Sequence, residues 1–156
     1  MKKIIPLFFA LLLLFGCSAK NYAPVIKKDF SISAIYKTGD FSYSCNITKQ
    51  GDTVSITPTS TRAKGLIISC SENEVTFQRN KLKKTFKRDE IDLTNPAVIL
   101  YEVFNKLENA DVKLIDDKFT YTAKTSLGNF VLVQDKNNNL ISLSLPEADI
   151  EIEFQK

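Results

Sequence analysis

The chain has 156 residues, with 21 Lys+Arg against 18 Asp+Glu and no histidine. That length suits one domain with its own core, and a 44% apolar share with 25% charge excludes a disordered chain. Without imidazole there is no His-based triad, no usual general base and little basis for zinc or non-haem iron, so no metal, cofactor or catalytic set is expected.

Lys2 and Lys3 open the chain, followed by an almost unbroken apolar run from Ile4 to Leu14. The run is short for a bilayer span and reads as a signal peptide over residues 1–16. Leu14, Phe15, Gly16 and Cys17 resemble the lipobox of bacterial lipoproteins: an aliphatic residue, a variable one, a small one, then Cys. That resemblance implies diacylglycerol attachment at Cys17 after cleavage, and stable anchoring follows once a second acyl chain is added. The expected location is the outer face of the cytoplasmic membrane, or the outer membrane in a two-membrane cell. Loss of the signal removes two cations and no anion, which leaves a net charge of +1.

Residues 17–29 read as a polar tether with an end-to-end reach of ~20 Å. From Phe30 the chain alternates with period two, as half-buried antiparallel strands do. Phe30, Ile32, Ala34 and Tyr36 form one apolar row, and Phe41, Tyr43, Cys45 and Ile47 a second after Gly39-Asp40. Val54 and Ile56 follow the turn Gly51-Asp52. Next come Leu66, Ile68 and Cys70, then Val75 and Phe77, then a strand from Leu82 to Phe86. Asn95 as cap and Pro96 at the first position predict a helix to about Asn109. Its residues Ala97–Leu107 are apolar on more than one side, so it must be covered on several faces. Strands then resume around Phe119–Ala123, Phe130–Leu132, Ile141–Leu145 and Ile150–Phe154. The expected fold is mainly β with few helices (α+β). It is a strongly curved antiparallel sheet, or incomplete barrel, of about ten strands over residues 30–156, covered by the mid-chain helix.

This order resembles the lipoprotein-carrier group typified by LolA and LolB, and the related lipid-binding lipoproteins. The likeness rests on antiparallel opening strands, Pro58 before the strand after Gly65, a basic hairpin, a Pro-started helix and closing strands. It implies an open barrel whose concave apolar face receives acyl chains. On that reading Phe30, Phe41, Tyr43, Ile56, Leu66, Ile68, Phe77, Phe130, Leu132 and Ile152 line a ligand cavity, with Leu100 and Phe104 of the helix as its lid. A filled core with a permanently packed helix remains the alternative.

Arg79, Lys81, Lys83, Lys84, Lys87 and Arg88 crowd into ten residues around a turn at Asn80-Lys81. They serve either as a solvated, aggregation-resistant edge or as an attraction for anionic headgroups. Nucleic acid is not expected of an exported, nearly neutral chain. Cys45 and Cys70 share the apolar phase, which points to a disulfide or to two buried thiols and not to catalysis. Asp135, Asn137 and Asn139 imitate a calcium loop, but Leu140 and Pro146 stand where Gly and Glu are needed, so a hairpin turn is expected.

Overall fold

The computed structural model describes residues 25–155. The lipobox, Cys17 and the first part of the tether lie outside the described residues. Eleven strands form one sheet: β1 (Phe30–Thr38), β2 (Phe41–Gln50), β3 (Thr53–Pro58), β4 (Ile67–Cys70), β5 (Glu74–Arg79) and β6 (Leu82–Lys87), then β7 (Asp111–Ile115), β8 (Lys118–Thr125), β9 (Gly128–Asp135), β10 (Leu140–Leu145) and β11 (Ile150–Phe154). All neighbours pair antiparallel, in the order β6-β5-β4-β3-β2-β1-β11-β10-β9-β8-β7. The sheet does not close, and its edges are β6 and β7.

Each arm is a run of sequential hairpins. The first arm is β1 to β6 and the second β7 to β11. They are joined at the centre by the pairing of the first and last strands, with Ala34 opposite Phe154 and Tyr36 opposite Ile152. Two-residue turns supply the reversals β1–β2, β2–β3, β5–β6, β7–β8 and β8–β9. Gly39 (φ 53°) and Gly51 (φ 55°) take the left-handed conformation that a tight hairpin turn requires.

Alternation sends the apolar rows to one face, as expected from the period. The opposite face is wet. Ser31, Thr48, Ser55, Ser69, Thr76 and Thr85 stand in register across the first six strands. Hydroxyls meet at 3.1 Å (Ser31–Thr48), 2.8 Å (Ser55–Ser69) and 3.0 Å (Thr76–Thr85).

Helix α1 (Pro96–Lys106) crosses the apolar face and continues into a 3₁₀ turn, Leu107–Asn109. Asn95 Oδ1 accepts from the Ala97 N–H at 3.0 Å, which caps the first turn. The helix packs on β3 and β4 of one arm and on β8 of the other. That two-sided cover explains its wide apolar surface: Ala97, Val98, Ile99, Leu100, Tyr101, Val103 and Phe104 are all buried.

Two details differ from the sequence reading. There are eleven strands rather than about ten, because β7 was not anticipated. The domain body also begins before Phe30. Ile26 packs on the core, and Asp29 Oδ1 accepts from the Gly51 N–H at 2.7 Å, so residues 26–29 belong to the body.

Candidate functional site

The twelve side chains expected around a cavity divide into two sets. Ile56, Leu100, Phe130, Leu132 and Ile152 have no accessible surface, and Phe104 keeps 4%. A void able to admit a water-sized probe would appear as accessible surface on its lining. These residues therefore form a filled core, close-packed under the helix, and among the described residues they enclose no cavity. Phe30 closes one end of this core, its ring edge-on to Phe104 at 5.2 Å between centroids.

The remaining five are less covered, although Tyr43, Ile68 and Phe77 still pack against the core. Phe41 is 57% exposed; Tyr43, Leu66, Ile68 and Phe77 are half-buried. Phe41 and Tyr43 meet at 5.7 Å beside the first turn, and Tyr43 stacks on Tyr36 at 5.2 Å. Ile68 stands opposite Phe77, which is edge-on to Phe86 at 5.7 Å. These residues make an open apolar strip on the concave side of the first arm.

The basic cluster sits on the β5–β6 hairpin at the sheet edge. Arg79, Lys81, Lys83, Lys84 and Lys87 are exposed around the Asn80 turn, and Lys84 Nζ lies 4.6 Å from the Phe86 ring centre. Leu82, 80% exposed, projects among them. Arg88 does not belong to this surface. Its guanidinium donates to Glu102 Oε1 at 3.2 Å and lies 4.7 Å from the centre of the Tyr101 ring. Glu102 Oε2 also accepts from the Ser126 N–H at 3.1 Å and from the Ser126 hydroxyl. One helical carboxylate thus ties the end of β6 to the β8–β9 turn, clamping both arms onto α1.

Among the described residues the two cysteines, Cys45 and Cys70, are both buried and both free. Cys45 is on β2 opposite Pro58, and Cys70 on β4 opposite Val54, so β3 runs between them. Two strand spacings amount to about 9.5 Å before the offset along the strands is added. Disulfide geometry needs Cα atoms within about 7 Å, so the expected bridge does not form. Burial raises each thiol from 9.0 to about 11, and Cys45 Sγ is directed at the Ala34 carbonyl, 3.6 Å away.

No family model matches the chain, and no curated protein does. Among solved structures it is similar over its full length to 94% of a chain in the structure of the CwlD amidase from Clostridioides difficile in complex with the GerS lipoprotein, at 14% identity and a TM-score of 0.49. A LolA superfamily protein, NE2245 from Nitrosomonas europaea, matches 83% of this chain with 84% of its own, at 10% identity and a TM-score of 0.44. Likenesses this distant carry no argument about what the chain does.

Besides Glu102 and Ser126, sequence reasoning missed Gln134. It is wholly buried on β9, accepts from the Tyr121 hydroxyl at 2.6 Å, and donates to the Val25 and Asn138 carbonyls at 3.1 Å. That amide fastens the incoming tether to the β9–β10 turn. Asp135 organises the same turn, accepting from the Asn137 and Asn139 N–H groups at 2.8 Å. The hairpin reading of this segment therefore stands.

Proposed function

We propose that this chain is a membrane-anchored lipoprotein of the cell envelope that acts by contact with another protein, without catalysis and without a ligand held inside its sheet. The filled concave face carries this reading: with Ile56, Leu100, Phe130, Leu132 and Ile152 inaccessible, the interior is committed to holding the two arms together. Function then falls to the outside of the body. Catalysis is disfavoured by the lack of histidine and by two thiols that burial keeps protonated. Anchoring at Cys17 rests on the lipobox pattern. The basic hairpin would dock on anionic headgroups at ~1 kcal/mol per cation near the surface, with Leu82 entering the interface.

A second reading, binding of an acyl-bearing lipid or of a lipoprotein's lipid moiety, has one observation in its favour. The strip of Leu66, Ile68 and Phe77 leaves apolar surface open beside the hairpin cations. Mass spectrometry of lipid extracted from the purified protein separates the two readings. The protein-contact reading requires no stoichiometric lipid beyond the covalent anchor, and a co-purifying acyl ligand sinks it. Cys17→Ala should abolish labelling by a fatty-acid analogue, and persistent labelling refutes the anchor.

A further inference from the structure

The two edges of the sheet are built differently. β6 carries Lys83, Lys84 and Lys87, a charge pattern that discourages another strand from pairing. β7 carries a single lysine, Lys113, among three apolar residues. All five of its residues are exposed, among them Val112 at 42%, Leu114 at 55% and Ile115 at 51%. A two-residue turn, Asp116-Asp117, joins β7 to β8, so the closing pair Ile115–Lys118 is hydrogen-bonded. Alternation then directs the backbone groups of Ile115, Lys113 and Asp111 to β8, and those of Val112 and Leu114 outward.

An edge can pair with a second copy of itself only in registers that set outward groups against outward groups. Pairing centred on Lys113 puts two like charges face to face. Pairing centred on Leu114 drives Val112 against the turn residue Asp116. Centring on Val112 avoids both. It sets Asp111 opposite Lys113 of the second copy, twice by symmetry, on the wet face. On the apolar face Leu114 of each copy falls opposite Ala110 of the other. There each chain has an open cleft of about 320 Å³ lined by Ile26, Leu107, Ala110, Val112 and Tyr121, with Glu108 also on its wall. The cleft therefore lies where the second copy's Leu114 would enter.

We infer that the chain forms a symmetric homodimer by antiparallel β7–β7 pairing centred on Val112, joining the two sheets into one. This does not depend on the protein-contact reading above, since a dimer is compatible with either function. The test uses the full-length anchored protein in its membrane. At a hydrogen-bonded antiparallel pair the Cα atoms lie about 5.5 Å apart, within disulfide reach. Val112→Cys should give a disulfide dimer of twice the chain mass on mild oxidation, while Leu114→Cys, whose copies sit far apart in this register, should not. Asp111→Lys or Lys113→Asp in the Val112→Cys background should each lower the yield about ten-fold, and the two together should restore it. Val112→Cys that stays monomeric in a protease-resistant body overturns the inference. Equal cross-linking of Leu114→Cys, or cross-linking to a chain of another mass, also overturns it.

Discussion

Arg88 and Glu102 meet at 3.2 Å with only 26% and 18% of their side-chain surfaces exposed, and the same carboxylate holds Ser126 of the opposite arm. A single helical acid is thus shared by two segments far apart in the sheet order. Glu102→Ala should cost about 1–3 kcal/mol, because it strips partners from a half-buried cation and a backbone N–H together. Glu102→Gln keeps an acceptor and should cost less. Urea midpoints of the three proteins check the order; equal midpoints for Glu102→Ala and the parent would show that the clamp contributes nothing.

A filled core and a ligand cavity make opposite forecasts for truncation. Leu100→Ala and Phe130→Ala should each lose about 2–5 kcal/mol, as deletions in close-packed interiors do. A face that normally encloses lipid would tolerate the same change with little loss, so thermal or urea unfolding distinguishes the two.

Gly128 has φ +114°, and a Cβ there would stand 1.7 Å from Glu147 Oε2 and 2.9 Å from the Glu147 Cβ. Glu147 is itself engaged, accepting from the Asn129 N–H and from Asn129 Nδ2. Gly128→Ala should destabilise by about 1–3 kcal/mol through backbone strain and lost contacts. Adding Glu147→Ala should remove the clash with the carboxylate and leave the strain and the 2.9 Å approach to the Cβ, so the double variant should fall between parent and single variant in unfolding midpoint.

Cys45 and Cys70 ionise near 9.0 when unfolded and near 11 when folded, chiefly because burial penalises the thiolate. The folded state therefore keeps its protons while the unfolded state loses them. Stability is fully present below pH 9 and declines progressively as pH rises to 11. Tyr36, raised to about 12 by burial and by Cys45, extends the decline upward. Urea midpoints at intervals from pH 8 to 11 should trace that fall. A thiol reagent at pH 8 should label neither cysteine until the protein unfolds.

The sheet was legible because apolar residues repeat at every second position over nearly every strand, and the helix because Asn95-Pro96 interrupts that repeat. β7 was hidden by its own chemistry. Its turn uses Asp116 and Asp117 at φ 47° and 65° where Gly or Asn would have signalled a hairpin, and none of its side chains is buried. The face of each cysteine was readable from phase; the strand lying between them was not, since periodicity gives orientation and says nothing about lateral distance. Apolar alternation likewise marked a concave face without revealing what fills it. Glu102 reaches partners 14 and 24 residues away, and no local pattern encodes such a reach.

The pairing of Phe30–Thr38 with Ile150–Phe154 also sets a timetable. The chain is made from its amino end, and each arm can zip up from neighbouring hairpins as they arrive. The strip that seals the two arms together follows the other ten strands in chain order. Until Ile150–Phe154 has been made, one flank of Phe30–Thr38 stays open, and the half-assembled body has a sticky margin at its middle. Without Ile150–Phe154 the two arms would be held together by the helix that packs on both of them and no longer by the sheet.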